Sequence, residues 1–441
     1  MTTARRVAAS SGWWLGEKGL LLAVSLATNV VLVRWLGPSG FGELSYLLAV
    51  AGLLLPVAQL GASGLVARAL LERPGDERRI LRAALLWRAS GWAIAFLLGL
   101  AYWAFFDPRP AERAVLLVLL AAQAATTLAV LEFWFQARLD ATSLVPWRTA
   151  AVMLAAAAKV AVAIATRDAT AVALVFAVEY LLLGAAYLVA YRRASGRLVA
   201  PGIDREWLGW LGRRAPWLVA SGLAEVIYLR IDIVMLERMR GVEEAGLYAV
   251  AARISEIWYV IPVVIAGSMF PALWSRRGDA AAHARGLQTG FDALFAIALA
   301  IAILMQWGAG PLVELLFGER YATSAAVLVV HIWAGVFVFM RALLSRWLLG
   351  EDLLQFSLVT HLAGALINVA ANLVLIPDHG ALGAAWATVL SYAAAGWLAL
   401  ALSSRTRPIF VMMGRALLLP LRWPALRGYW SRLRGGRGRP A

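Results

Sequence analysis

The sequence predicts an all-α integral membrane protein with about twelve transmembrane helices. Of its 441 residues, 62% are hydrophobic and only 15% are charged, and the apolar residues come in long blocks. A soluble domain is nearer half apolar and a quarter charged. A helix needs about 20 apolar residues to cross a hydrocarbon core of ~30 Å. The blocks lack the alternating pattern of the strands in membrane barrels, so helices are favoured.

Polar breaks that contain turn-forming residues divide the chain into candidate spans. Their approximate limits are 13–36, 43–71, 83–106, 112–137, 145–166, 170–192, 213–238, 245–274, 286–308, 324–349, 355–377 and 381–403. The longest break, 193–212, is a linker between a six-helix half at 1–192 and another at 213–403. Two such halves begin and end on the same side of the membrane, which predicts parallel repeats around a central cavity.

Weak internal similarity supports the repeat. Residues 37–42, Gly-Pro-Ser-Gly-Phe-Gly, and residues 241–246, Gly-Val-Glu-Glu-Ala-Gly, occupy the first outer break of each half. Both lead into a helix with an early tyrosine, Tyr46 or Tyr248. Because no strand precedes the glycines, the spacing indicates tight interhelical turns rather than a dinucleotide-binding fingerprint.

Arginine distribution predicts the orientation. If the N-terminus is cytoplasmic, the inner segments and tail hold roughly four times as many arginines as the outer segments, as the positive-inside rule requires. Arg78, Arg138, Arg192 and Arg197 are among the inner ones. We therefore expect both termini on the cytoplasmic side of the cell (inner or plasma) membrane. The net charge of +15 then reflects topology, and no nucleic-acid partner is predicted.

The sequence offers no sign of catalytic, metal or cofactor chemistry. It contains no cysteine, and its four histidines are scattered without metal-ligand spacing. The phosphate-binding motif of nucleotide hydrolases does not occur. We therefore expect a protein without a metal site or a cofactor, and any energy that it uses must come from a gradient or a partner.

Ionisable residues inside the spans are the candidates for function, because each costs roughly 2.5–3.5 kcal/mol to insert. Lys159, Arg230 and Arg341 lie deep in their spans, whereas Arg88 and Glu132 lie nearer helix ends and can snorkel to the interface. His361, Asn368 and Asn372 form one polar stripe. Hydrogen bonding between helices and the lining of a cavity explain this stripe equally well.

Several runs then resemble a known family. Residues 227–236, Ile-Tyr-Leu-Arg-Ile-Asp-Ile-Val-Met-Leu, are followed by Gly-Leu-Tyr-Ala-Val-Ala-Ala-Arg-Ile at 246–254. The runs at 35–42 and 380–388 and the pair Asn368 and Asn372 add to the pattern, which covers about 13–403. Together they resemble the polysaccharide-biosynthesis or oligosaccharide flippase branch of the multidrug/oligosaccharidyl-lipid/polysaccharide (MOP) exporter superfamily.

The resemblance implies a flippase that carries polyprenyl-pyrophosphate-linked oligosaccharide from the inner to the outer leaflet by alternating access, possessing the fold of the MOP and MATE transporters. A polysaccharide polymerase machinery is an implied partner. A pyrophosphate in hydrocarbon needs cationic partners, and the glycan needs polar ones. The candidate substrate-binding residues are Lys159, Arg230, Arg341, Asn29, Asn368 and Asn372.

Two alternatives remain open. A multidrug or cation exporter of the same superfamily would use acidic residues for ion coupling, and Glu225, Asp232 and Glu256 are its candidates. A membrane glycosyltransferase or polymerase would need a sizeable outer loop with carboxylates. The longest outer break, about 309–323, is too short for a catalytic domain, which favours a transporter.

The tail at 404–441 contains nine arginines and no acidic residue. Its apolar run at 409–421 is too short for a further span. Trp423, Tyr429 and Trp430 follow this run. We expect a partly helical, amphipathic segment that lies on the membrane surface, with its arginines on anionic lipid.

Overall fold

The computed structural model describes residues 3–106 and 110–422. Over these residues the chain is almost entirely helical and contains no β-strand, which confirms the all-α prediction. The α-helices are α1 (Thr3–Leu53), α2 (Leu55–Gln59), α3 (Ala62–Glu72), α4 (Glu77–Phe106), α5 (Pro110–Ala122), α6 (Leu131–Ala137), α7 (Ala141–Thr166), α8 (Ala169–Ser195), α9 (Arg205–Arg240), α10 (Val242–Ile257), α11 (Val260–Trp274), α12 (Ala280–Phe317), α13 (Ala322–His331), α14 (Ala334–Gly350), α15 (Leu354–Gly396) and α16 (Arg407–Leu417). Short 3-10 turns lie at Pro74–Asp76, Gln123–Val130, Glu319–Tyr321, Leu398–Leu402 and Leu419–Leu421.

Membrane-spanning length is reached repeatedly along the described residues. Eight helical stretches are long and apolar enough to cross a bilayer, or nine if the bent pair Glu319–His331 and Ala334–Gly350 is one span. Two of them, Gly12–Glu72 with 61 residues and Gln355–Leu402 with 48 residues, are more than twice the length that one crossing needs.

Each of the two long stretches contains a glycine with non-helical backbone angles, Gly37 in α1 and Gly380 in α15. These glycines fall in the predicted breaks at 37–42 and 378–380 and divide each stretch into two spans. Helix α9 is outside the apolar set because charged residues such as Arg230 and Asp232 interrupt it. With α9 included, every predicted span coincides with a helical segment of the structure.

The chain divides into two compact units. The first comprises Met1–Ala249 and Leu316–Tyr321, and the second comprises Val250–Leu315 and Ala322–Ala441. The predicted linker at 193–212 contains the non-helical stretch between the end of α8 and the start of α9. The assignment of the two repeats to 1–192 and 213–403 stays a prediction.

Each unit has an apolar core of its own. In the first, Val66 of α3, Leu81 of α4 and Phe135 of α6 belong to one buried cluster. In the second, Phe291 of α12 and Phe339 of α14 belong to another. Lipid gives no hydrophobic drive for helices to associate, so close packing of large side chains at helix crossings holds the helices together. This packing also positions the polar groups described below.

The described part of the C-terminal tail is 404–422, and it includes helix α16. Its buried residues Ile409 and Met413 join the core of the second unit. Arg422 lies 3.5 Å from the buried carboxylate of Asp292 in α12. The apolar face of α16 therefore packs on the protein, which the sequence did not predict. Trp423, Tyr429 and Trp430 lie outside the described residues, and the contact of the tail with anionic lipid stays a prediction.

The two glycine motifs of the predicted repeat share one backbone conformation. Gly37 has φ 70° and ψ 177°, and Gly241 has φ 95° and ψ 173°. Positive φ with extended ψ is essentially restricted to glycine. In both motifs a helical segment follows directly. This equivalence confirms that the motifs are tight interhelical turns, and it supports the repeat in three dimensions.

The last glycines of the two motifs make a reciprocal close contact within the first unit. A Cβ atom on Gly42 would lie 1.7 Å from the carbonyl oxygen of Val242, and one on Gly246 would lie 2.0 Å from that of Pro38. Pro38 precedes Gly42 by four residues, as Val242 precedes Gly246. The same surface of each motif therefore meets its counterpart, with backbone against backbone.

Replacing Gly42 or Gly246 with alanine is predicted to destabilise the protein. The new methyl group would overlap a backbone carbonyl, which cannot rotate away, so we expect the free energy of unfolding to fall by about 3 kcal/mol. The measurement is the midpoint of thermal unfolding of the detergent-purified protein.

Gly52→Ala is the matched control on the same helix, because a Cβ atom there would meet nothing within 4 Å. Alanine has the higher helix propensity, so Gly52→Ala should leave stability unchanged or raise it by up to about 1 kcal/mol. Equal unfolding midpoints for Gly42→Ala and Gly52→Ala would contradict the close contact.

Candidate functional site

The first unit contains a buried ionic network centred on Arg148 of α7. Its Nε donates to Glu17 Oε1 at 2.6 Å, and its Nη2 donates to Glu17 Oε2. Its Nη1 lies 2.9 Å from Glu132 Oε2. The Glu17 side chain on α1 is 0% exposed. Two hydrogen bonds from one guanidinium therefore stabilise this buried carboxylate.

Two further side chains complete the ionic network. The hydroxyl of Tyr187 on α8 donates to Glu132 Oε2 at 3.1 Å. Arg88 of α4 interacts electrostatically with Tyr187 and Glu132 and is only 3% exposed. The expectation that Arg88 snorkels to the interface is therefore wrong. Packing holds this cation inside the unit, where the Glu132 carboxylate compensates part of its charge.

An apolar cleft of about 790 Å³ lies beside the ionic network, between α1 and α7. Gly12, Gly16 and Leu20 line it from α1, and Val145 and Pro146 from α7. Although Glu17 also contributes to the wall, its carboxylate bonds to Arg148. A site of this size and lining suits a hydrocarbon chain rather than a charged sugar.

Lys159 of α7 is paired inside the first unit. Its Nζ lies 2.6 Å from Glu179 Oε2 of α8 and 3.6 Å from the centre of the Phe176 ring. The Lys159 side chain is 8% exposed. The carboxylate and the ring both compensate the ammonium charge, so this predicted site residue has a firm structural role in joining α7 to α8.

A hydrogen bond connects two of the sequence runs on which the family resemblance depends. Asp232, which belongs to the run 227–236, is 1% exposed and accepts a 2.6 Å hydrogen bond from the hydroxyl of Tyr248 in the run 246–254. Arg238 at the end of α9 donates at 2.6 Å to the hydroxyl of Tyr46. The early tyrosine of each predicted repeat therefore bonds to a charged side chain of α9.

The other candidates of the first unit lie nearer the surface. Arg230 is half-buried and Glu225 is exposed, both on α9. Asn29 of α1 is half-buried, and its amide donates to the backbone carbonyl of Ser25 at 2.8 Å. These three residues are therefore less buried than Lys159 and Asp232.

Arg341 of α14 is the notable cation of the second unit. Its Nη1 donates to the carbonyl oxygen of Ala395 at 2.7 Å, and its Nη2 donates to Thr360 Oγ1 at 3.2 Å. Ala395 lies at the C-terminal end of α15, where backbone carbonyls lack partners within the helix. Among the described residues, no carboxylate forms an ion pair with Arg341.

The asparagines of the predicted polar stripe are fully buried. Asn372 Nδ2 donates to Asn368 Oδ1 at 3.0 Å, and Asn368 Nδ2 donates to Ser391 Oγ at 3.3 Å. Ser391 follows the break at Gly380, so the second bond joins the two segments of α15. Hydrogen bonding between helical segments thus accounts for Asn368 and Asn372, and their contact with substrate stays a prediction.

The predicted site residues are divided between the two units. Lys159, Arg230 and Asn29 belong to the first unit, and Arg341 belongs to the second. Glu256 of α10 is half-buried in the second unit. Throughout the part of the chain that the structure describes, no group of three or more histidine or acidic side chains could hold a metal ion. Arg148 was not predicted as a site residue from the sequence. It stands beside a predicted inner break, and no sequence pattern links it to Glu17.

Replacing Arg148 with alanine is predicted to destabilise the first unit strongly. Glu17 would keep a buried charge without its main partner, which typically costs about 3–5 kcal/mol. Thermal unfolding of the purified protein measures this loss. The double variant Glu17→Leu with Arg148→Met should recover part of it, because no unpaired charge then remains at Glu17.

Arg68→Ala is the control, since Arg68 forms an exposed pair with Glu72 on α3. Exposed pairs contribute about 0–1 kcal/mol, so Arg68→Ala should change little. If Arg148→Ala were as mild as Arg68→Ala, the ionic network would not stabilise the fold.

Comparison with known proteins gives both a family and a fold. The family model described as polysaccharide biosynthesis protein matches residues 12–275, more than half of the chain. No curated protein sequence matches the chain significantly. The lipid II flippase MurJ, in an inward closed conformation, has a TM-score of 0.66 at 12% identity, over 91% of this chain and 90% of that chain.

Other solved structures of the superfamily are similar over almost the whole chain. An inward-facing multidrug resistance MATE family transporter of the MOP superfamily has a TM-score of 0.64 at 12% identity, over 90% of this chain and 95% of its own. A MOP superfamily transporter from Pyrococcus furiosus, described by the reverse polarity of its binding pocket, has a TM-score of 0.53 at 14% identity, over 92% and 95%. The chain thus has the MOP transporter fold, and it belongs to the polysaccharide biosynthesis protein family.

Proposed function

We propose that this protein is a flippase that moves polyprenyl-pyrophosphate-linked oligosaccharide from the inner to the outer leaflet by alternating access. The family match and the fold shared with a lipid II flippase and with MATE transporters support a membrane transporter of this kind. The apolar cleft between α1 and α7 offers a surface for hydrocarbon beside a polar interior.

The state of Arg341 is the observation that carries the proposal. The guanidinium is held by a backbone carbonyl and a hydroxyl, both neutral, so its positive charge is not cancelled by a carboxylate among the described residues. Pyrophosphate oxygens can take the place of these neutral acceptors and form charge-assisted bonds to the same planar donors. Arg341 is therefore our first choice for the pyrophosphate contact.

Lys159 and Arg230 are the further cationic candidates. Lys159 would have to exchange Glu179 for substrate, and breaking a buried pair is costly. Arg230 is half-buried on α9, close in sequence to the exposed Glu225. We propose that Arg230 and Asn29 line a water-accessible path, and that Asn368 and Asn372 take part after rearrangement of their hydrogen bonds.

The exporter alternative depends on acidic residues. Asp232 is buried and bonded to Tyr248, which indicates a structural role, whereas Glu225 and Glu256 are more exposed. Ion coupling through Glu225, Asp232 or Glu256 is compatible with flipping as well as with drug export. Competition of an organic cation with lipid-linked sugar in a transport assay separates these functions.

The enzyme alternative requires an extramembrane catalytic segment. Helix α12 runs to Phe317 and α13 begins at Ala322, so the predicted outer break at 309–323 is largely helical. A sugar-transfer assay with purified protein tests the glycosyltransferase and polymerase alternatives directly.

The proposal also covers location and partners. A multi-pass protein in the cell membrane with both termini in the cytoplasm would receive its substrate at the inner leaflet and deliver it to a polysaccharide polymerase machinery outside. The tail arginines, including the exposed Arg405 and Arg415, would lie near anionic lipid of the inner leaflet. Thiol labelling of termini in sealed cells tests the orientation.

Arg341→Gln is predicted to slow flipping by at least about tenfold, because hydrogen bonds to charged groups contribute about 1.5–3 kcal/mol. Arg341→Lys should retain part of the rate, since it keeps the charge and loses the planar geometry. The measurement is translocation of a fluorescent polyprenyl-pyrophosphate oligosaccharide in proteoliposomes, at equal amounts of folded protein.

Arg346→Gln is the matched control, because Arg346 is an exposed arginine on the same helix α14. It should flip at the wild-type rate. A folded Arg341→Gln protein that flips as fast as Arg346→Gln would remove Arg341 from the site.

Cysteine labelling is predicted to reveal the path along α1 and α9. The natural chain has no cysteine, so single cysteines at Asn29, Glu225 and Arg230 can be labelled without background. If the path is water-filled, each of these cysteines should react with a membrane-impermeant thiol reagent that is applied to one side of the membrane or to the other.

Ala155→Cys on α7 is the negative control, since Ala155 is completely buried. Labelling of Asn29→Cys, Glu225→Cys and Arg230→Cys no faster than that of Ala155→Cys, from either side, would contradict a water-filled path at these positions.

A further inference from the structure

A basic pocket of about 360 Å³ lies at one end of the first unit, and none of the residues proposed for transport lines it. We call it the arginine pocket. It is formed where α4 begins, where α6 ends and where α8 gives way to the linker. Its functional groups come from Glu77, Arg78, Trp134, Arg138, Arg197 and Leu198.

The floor of the arginine pocket is rigid. Glu77 Oε2 accepts 2.8 Å hydrogen bonds from Trp134 Nε1 and from Arg138 Nη2. The Arg138 guanidinium lies over the Trp134 ring, 4.2 Å from its centre. Tyr191 packs edge-on against Trp134 with ring centres 5.0 Å apart. These contacts hold the Arg138 guanidinium in place in the wall of the pocket.

The rim of the arginine pocket carries uncompensated charge. Arg78 and Arg197 are exposed, and within the described residues neither guanidinium forms a hydrogen bond or an ion pair. Three arginines face a single glutamate, so the pocket has an excess of two positive charges. Guanidinium groups that converge in this way are suited to phosphate oxygens, which they can bind in pairs.

Apolar surface beside the charge distinguishes a lipid from a soluble anion. Leu198 lines the pocket and is 52% exposed, and Ile203, five positions later in the linker, is 79% exposed. Trp134 and Tyr191 are of the type that lies at the level of the headgroups. By the arginine distribution, this end of the helices is the inner one. Basic pockets between transmembrane helices on that side are typical headgroup sites.

We propose that the arginine pocket binds the phosphate group of an anionic phospholipid of the inner leaflet. Arg78, Arg138 and Arg197 would hold the phosphate, while Leu198 and Ile203 would lie among the first carbons of the acyl chains. None of the residues proposed for transport lines this pocket, so the site does not depend on the identity of the transported glycan.

The test is native mass spectrometry of the full-length protein in dodecyl maltoside micelles with phosphatidylglycerol or phosphatidylcholine of identical acyl chains. We expect preferential retention of phosphatidylglycerol by the wild type. Arg78→Gln and Arg197→Gln should each reduce that preference about fivefold, which corresponds to about 1 kcal/mol per arginine near the surface. The double variant should lose it about twenty-five-fold.

Arg192→Gln is the matched control, because Arg192 is an exposed arginine at the same end of α8 that does not line the arginine pocket. It should retain the wild-type preference. An equal loss in Arg192→Gln would show diffuse attraction to surface charge and overturn the site. An unchanged preference in the double variant would overturn it as well.

A second arm separates lipid from soluble phosphate. Inorganic phosphate at millimolar concentration is added to the complex with phosphatidylglycerol. Continued retention of the lipid supports the headgroup site, because the acyl chains contribute to binding. Complete displacement of the lipid by inorganic phosphate would assign the pocket to a soluble anion and overturn the lipid assignment.

Discussion

A charge inside a bilayer has to find its counter-charge within the protein, because hydrocarbon offers neither water nor ions. This constraint organises the first unit. Arg148 ties α7 to Glu17 of α1, and Lys159 ties α7 to Glu179 of α8. Because each pair is costly to separate, helices α1, α7 and α8 are held as one set. Without these ion pairs, the mainly alanine and valine surfaces of the helices would determine only weakly which helices pack together.

The backbone obeys the same constraint wherever a helix is interrupted. Polar backbone groups at membrane depth need partners inside the protein. At the end of α15 this partner is Arg341, which donates to the carbonyl oxygen of Ala395. At Gly37 and Gly241 the chain turns through conformations that favour glycine, and the reciprocal contact of Gly42 with Gly246 brings two backbones together without intervening side chains. At these positions, glycine or an arginine makes the interruption tolerable.

The sequence predicted those features that the bilayer itself dictates. The thickness of the hydrocarbon core sets the length of the apolar runs, so the spans could be predicted from them. The turns at Gly37 and Gly241 could be predicted because positive φ favours glycine. Pairings across distant parts of the chain left no such mark. Arg148 stood beside a predicted loop, Arg88 stood near a helix end, and Glu17 is separated from Arg148 by 131 positions in the chain. The ionic network therefore emerged only from packing. For the same reason the tail suggested a lipid-facing helix, whereas Ile409 and Met413 pack into the protein core.

The difference between paired and unpaired cations separates scaffold from transport. A flippase must bind a pyrophosphate and then release it, so its cation cannot be committed to a buried carboxylate. Lys159 and Arg148 are committed in this way, and exchanging their partners would cost roughly 3–5 kcal/mol. Arg341 is held by neutral oxygens, whose net hydrogen bonds contribute about 0.5–1.5 kcal/mol each, or 1.5–3 kcal/mol where charge assists. Pyrophosphate can replace such partners and be replaced by them in turn. Reversible anion binding at membrane depth therefore favours a cation whose resting partners are uncharged.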